Sequence, residues 1–193
     1  MRRIILLLSL LGLSACVTMP APEPEAPPAP PTMRWDFRPD AAAWTEGTLD
    51  ALQTHGAVLP SMVPADVAEW CPDYENRTPE ERAAFWAGLF SALAKHESTW
   101  RPEAVGGGGL WYGLVQIDPR TARAYGCDAQ SGSALKNPIA NLRCGVRIAA
   151  AQVSKRGTVN RGMRDWGPFH SASKRAEMAA WTRAQPYCAP RQS

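Results

Sequence analysis

One glutamate stands where a helix is otherwise apolar. A helix opening at Pro79 carries Trp86, Phe90 and Leu93 along one stripe. At about 100° per residue, with Trp86 at zero, Phe90 falls at about 40°, Leu93 at about −20° and Glu97 at about 20°. Glu97 therefore closes the stripe on its core side, although Arg82 near the same stripe breaks its uniformity. A carboxyl group placed there loses hydration, which disfavours the charged form and raises its pKa. A carboxylic acid that keeps its proton near neutral pH is suited to general acid catalysis. The competing structural role is a last-turn glutamate that reaches water or pairs with Arg101. Asp118 is the other carboxylate considered, and Pro119 directly after it favours a helix cap. His55, His96 and His170 have no metal-ligand spacing, and His96-Glu97 lacks the second histidine of a His-Glu-x-x-His zinc motif, so His96 is expected as an exposed helix residue. No metal or cofactor is predicted.

The elements that must position Glu97 read as helices. Asp40 to about His55 predicts one, with Trp44, Leu49 and Leu52 on one side, and a shorter one is expected from Pro64-Ala65-Asp66. Thr78-Pro79-Glu80-Glu81 is the strongest start signal. Thr78 can cap, Pro79 suits the first helical position, and Glu81 completes a capping box. This helix is expected to run to about Ser98. Asp118-Pro119 and Asn137-Pro138 open two more by the same logic, ended by Gly126 and Gly157. Ser173 to Gln185 is a last candidate. No confident strand is predicted, although Gly113 to Ile117 can pair briefly, and nothing repeats at a period of 20 to 50 residues.

The motifs after Glu97 narrow the chemistry. The chain reads Glu97-Ser98-Thr99-Trp100, then Ala104-Val105 before the glycines at 106 to 109, then Gly113-Leu114-Val115-Gln116-Ile117. Pro119-Arg120-Thr121-Ala122 and Asn137-Pro138-Ile139-Ala140-Asn141-Leu142 follow. In this order and at this spacing, roughly residues 85 to 170 resemble the catalytic domain of soluble lytic transglycosylases. The resemblance implies a mainly α, lysozyme-like fold and cleavage of the bond between N-acetylmuramic acid and N-acetylglucosamine in peptidoglycan. It implies Glu97 as the acid that protonates the departing oxygen and then serves as base. The C6 hydroxyl of muramic acid then closes an anhydro ring, and no second carboxylate is required, unlike the usual two-carboxylate glycosidase. Gln116 matches the family's substrate-contacting glutamine, and Val115 stands where many relatives have methionine. Ser98 is assigned to substrate binding or the orientation of Glu97, with a helix-end cap as its structural alternative. The family's Tyr-Asn-Ala-Gly motif is replaced by Arg164-Asp165-Trp166-Gly167-Pro168. Trp166 is the candidate aromatic there, stacking on a sugar or packing in the core. Two other activities remain open: a lysozyme-type hydrolase on the same fold, and a non-catalytic peptidoglycan-binding envelope lipoprotein.

The remaining sequence describes how such a domain is delivered. Met1-Arg2-Arg3 precedes an apolar run from Ile4 to Leu13, too short for a spanning helix, which needs ~20 residues. Leu13-Ser14-Ala15-Cys16 resembles a bacterial lipobox, which predicts a signal peptide over 1–15 and lipidation of Cys16. With Val17 and no aspartate after the cysteine, the resemblance implies the inner leaflet of the Gram-negative outer membrane, facing the periplasm. Residues 16–34 are assigned as a linker. Seven prolines between Pro20 and Pro31 keep it extended over roughly 37 Å at ~3.1 Å per residue. Residues 35–75 are assigned as a helical extension and 76–193 as the catalytic domain. Cys71, Cys127, Cys144 and Cys188 remain, an even number suited to two disulfides with three possible pairings. Cys127–Cys144 and Cys71–Cys188 are expected, since the second ties the last segment to the start of the core. The net charge of +3 across 193 residues gives no case for nucleic acid, and glycan strands and a membrane surface are the expected partners.

Overall fold

Thr78 opens the longest helix as the capping box requires. The Glu81 amide donates to Thr78 Oγ1 at 3.3 Å, and the Thr78 amide donates back to Glu81 Oε2 at 2.9 Å. The computed structural model describes residues 29–190, so the leader, Cys16 and most of the proline run lie outside the described residues. The helices are α1 (Ala41–Gln53), α2 (Val58–Ser61), α3 (Val67–Trp70), α4 (Pro79–Ser98), α5 (Pro119–Ala124), α6 (Pro138–Arg156), α7 (Val159–Gly162) and α8 (Ala172–Arg183). Between α4 and α5 lies an antiparallel hairpin of β1 (Val105–Gly106) and β2 (Trp111–Tyr112), with Val105 opposite Tyr112.

Helix α4 is the axis of the fold. Its residues are buried on every side from Ala83 to Ala94, which departs from the single apolar stripe read from the sequence. A helix apolar all round is an interior helix, and α4 is packed by α1, α2 and α8. Asp118 and Asn137 cap α5 and α6, accepting from the amides of Arg120 (2.7 Å) and Ala140 (3.0 Å). Ser171 caps α8, which begins at Ala172 and so a residue earlier than predicted. Asp66 caps across space instead: its carboxylate accepts from the Val159 and Asn160 amides, tying α7 to the segment before α3.

The N-terminal residues of this unit are sewn into it. Met33 and Trp35 are buried, and the Trp35 indole donates to Thr45 Oγ1 at 2.9 Å. The Arg34 amide donates to Ser91 Oγ, and its guanidinium binds both oxygens of Glu177. The assigned linker therefore gives way to packed chain by Met33, because an apolar side chain and an arginine with a carboxylate partner both gain by docking. Lys95 and His96 join the same carboxylate at 2.7 and 2.8 Å. Hydrogen bonds from these side chains, Arg34 first, hold Glu177 far below the usual carboxylate range. His96, expected as an exposed helix residue, is thus a mostly buried hydrogen-bond partner of Glu177.

Both expected disulfides are present. Cys71–Cys188 has Cα atoms 4.6 Å apart and joins the end of α3 to the chain's last segment. Cys127–Cys144 has them 5.2 Å apart and joins the residue after Gly126 to α6.

Candidate active site

Glu97 lies in the last turn of α4, half-buried. Its Oε1 is shut off from solvent and has no hydrogen-bond partner. The pairing with Arg101 does not form: the Arg101 Nε donates to the Ser98 carbonyl instead. Burial pushes the Glu97 carboxyl from the usual value up to about 7, against a smaller downward pull from the Lys174 ammonium. Nearby carboxylates in the sequence are taken up differently. Asp118 is held below its usual value by hydrogen bonds from Arg120, and Glu103 is exposed and paired with Lys136.

Past Glu97 the backbone is forced into an unusual path. Thr99, Trp100 and Gln116 are the non-glycine residues with positive φ among the described residues, at 53°, 53° and 47°. Such geometry costs of order 1–3 kcal/mol per residue and persists only when neighbours enforce it. The Trp100 indole enforces the first turn by donating to the Ser91 carbonyl at 2.8 Å.

The turn from Tyr112 to Gln116 is enforced from three directions. Ser98 Oγ donates to the Leu114 carbonyl at 2.8 Å. The fully buried Asn141 on α6 accepts from the Val115 amide and donates to the Tyr112 carbonyl, both at 2.9 Å. The Trp166 indole donates to the Val115 carbonyl, also at 2.9 Å. These bonds favour the structural alternative for Ser98 and for Trp166. Ser98 is 3% exposed and its hydrogen is committed inward to the Leu114 carbonyl, so it positions the turn. Trp166 is 4% exposed and packs edge-on against Phe90, so it belongs to the core and not to a sugar-stacking surface. Asn141 was legible as part of a motif, but its clamp on the turn joins residues 26 and 29 apart and leaves no local signal.

Gln116 is what this framework presents. Its Nε2 donates to the carbonyls of Ala104 (3.2 Å) and Gly113 (2.9 Å), which fixes the amide plane. The hairpin beside it, absent from the sequence reading, exposes Trp111. A separate cavity of about 350 Å³, lined by Trp70, Asn160, Arg175 and Arg183 among others, contains neither Glu97 nor Gln116.

A buried helix ending in a lone protonatable carboxyl, beside a clamped turn and a small hairpin, defines a lysozyme-like domain. Residues 76–166 match the family model of the transglycosylase SLT domain. The chain is also similar to solved structures of DslA. The wild-type form aligns at 26% identity with a TM-score of 0.73, covering 84% of this chain and 100% of that one. A glutamate-to-glutamine mutant of DslA aligns at 26% identity and a TM-score of 0.71, covering 80% and 95%. No curated protein sequence matches. The SLT domain makes this a protein of lytic transglycosylase type with peptidoglycan as its substrate class.

Proposed function

We propose that the chain is a peptidoglycan lytic transglycosylase that breaks the β-1,4 bond between N-acetylmuramic acid and N-acetylglucosamine without water, with Glu97 as acid and then base. The observation that carries this reading is the Glu97 carboxyl, with one oxygen buried and unpartnered and the pKa lifted to about 7. Such a group holds a proton to give at neutral pH and accepts one readily afterwards.

The step balances on this single side chain. Glu97 donates its proton to the glycosidic oxygen as the bond to the muramic anomeric carbon breaks. Its carboxylate then takes the proton of the muramic C6 hydroxyl, whose oxygen bonds to the anomeric carbon as a 1,6-anhydro ring. Glu97 ends protonated, as it began, and no water is consumed. The engagement of Asp118 with Arg120 and of Glu103 with Lys136 supports a one-carboxylate scheme. Delivery by the leader and a lipid on Cys16 to the outer membrane, facing the periplasm, belongs to the same proposal and rests on the sequence alone.

The test is digestion of purified peptidoglycan by the parent and Glu97→Gln proteins, with product masses measured. The parent is expected to release fragments one water lighter than hydrolysis products, and Glu97→Gln to lose about 10²–10⁴-fold in rate. Equal digestion by both proteins overturns the role of Glu97. Products with full reducing ends make the protein a hydrolase, and binding without release makes it a glycan binder.

A further inference from the structure

The hairpin between α4 and α5 holds an aromatic plate and a free acceptor side by side. Trp111 is 46% exposed although it is large and apolar. One side of its ring rests on Gly107, where an added Cβ would lie 2.6 Å from Cε3 and 2.8 Å from Cζ3. Gly107 also has φ +56°, so the bare backbone under the ring suits only glycine. The neighbouring Gly106 lies between Trp111 and Gln116. A Cβ there would collide with Gln116 Oε1 and sit 3.7 Å from Trp111 Cε3. The carboxamide oxygen and the ring edge therefore flank one Cα.

The orientation of Gln116 gives this pair its chemistry. Both amide hydrogens are spent on Ala104 and Gly113, so rotating the amide would set oxygen against two carbonyls. Oε1 is thereby held beside Gly106, not shut off from solvent and without a hydrogen-bond partner among the described residues. An apolar ring face beside a fixed acceptor matches a pyranose, which offers an apolar C–H face and polar hydrogens at its edge.

We propose that Trp111, seated on Gly106-Gly107 beside Gln116, forms a saccharide subsite in which one N-acetylhexosamine ring of the glycan stacks on the indole and donates an N–H or O–H hydrogen to Gln116 Oε1. This subsite rests on the glycan-cleaving reading for its ligand but not on Glu97 for its affinity.

The experiment measures binding of a short N-acetylglucosamine oligosaccharide by calorimetry, with Glu97→Gln as the non-cleaving background. Adding Trp111→Ala is expected to weaken binding about tenfold, while Trp111→Phe keeps most of it. Gly106→Ala, which displaces the Gln116 oxygen and disturbs its two amide hydrogen bonds, is expected to weaken binding similarly and to lower the melting temperature by a few degrees while the protein stays folded. Phe37→Ala removes another exposed aromatic side chain and is expected to leave binding unchanged. The subsite is overturned if Trp111→Ala binds like its background, if Phe37→Ala loses as much, or if the background binds no oligosaccharide. Binding lost with Trp111→Ala in a protein that never cleaves peptidoglycan supports the subsite and overturns only the catalytic reading. Cleavage with unchanged binding does the reverse.

Discussion

The hydroxyl of Ser98 and the indole N–H of Trp166 end on neighbouring carbonyls, those of Leu114 and Val115, at 2.8 and 2.9 Å. The end of α4 and the segment after α7 thus grip the same two peptide units. Asn141 grips them from α6 through the Val115 amide. The candidate acid and the glutamine proposed to bind the glycan are carried on one hydrogen-bonded frame, since Ser98 is the residue next to Glu97 and Gln116 directly follows Val115.

Removing these clamps is expected to cost stability in proportion to the buried groups left unpaired. Ser98→Ala strands the Leu114 carbonyl and is expected to cost about 1–2 kcal/mol, whereas Asn141→Ala strands the buried Val115 amide and removes one of the two bonds to the Tyr112 carbonyl, at about 2–3 kcal/mol. Trp166→Phe keeps the edge-on contact with Phe90 but drops the N–H, at about 1–2 kcal/mol. Denaturant unfolding checks the order. A Trp166→Phe protein with normal stability and weakened glycan binding would contradict the role assigned to the indole.

The raised pKa of Glu97 makes a signed prediction about pH. The folded state holds this proton up to about pH 7, and the unfolded chain releases it near the ordinary carboxylate value of 4.5. The folded state therefore binds more protons between those limits, and stability falls as pH rises through the window. Glu97→Gln removes this cost. It is expected to melt higher than the parent at pH 8, by about 1–3 kcal/mol in stability, and close to the parent at pH 4. Peptidoglycan cleavage by the parent should decline as pH rises through 7, because the acid form is lost. Thermal melts and initial rates across pH 4 to 9 check both signs.

The two disulfides should differ in weight. The chain between Cys71 and Cys188 spans 117 residues and that between Cys127 and Cys144 spans 17. Closing the longer loop removes more freedom from the unfolded chain, so serine replacement of the Cys71–Cys188 pair is expected to cost about 4–5 kcal/mol, against about 3 for the other. Calorimetric melts of the two double-serine variants test the ranking. The packed stretch from Cys188 back to Tyr187, whose hydroxyl donates to the Thr32 carbonyl, should loosen with the first.

Helix starts were the most legible part of the fold. Thr78, Asp118 and Asn137 each bond an amide two or three residues ahead, so their signal is contained in a few consecutive letters. Glu97 was legible for a related reason, since a charged residue closing an apolar helix is visible in the spacing alone. Its partnerless oxygen was not, because that depends on what the other helices bring near it. The hairpin escaped the reading because strands of two residues are too short to show alternation. The exposure of Trp111 likewise follows from a ring propped on glycine backbone.

Ser98, Trp166 and His96 mark the limit most clearly. Their residue types left Ser98 open between a sugar contact and a helix-end cap and Trp166 between a stacking platform and the core, and suggested a solvent-facing ring for His96. Their actual partners lie 16, 51 and 81 residues away, on Leu114, Val115 and Glu177. Capping and periodicity are short-range and so are written in the order of residues. Which distant group a side chain meets is decided by tertiary packing, here by α4, α6 and the segment after α7 around the turn and by α8 against His96.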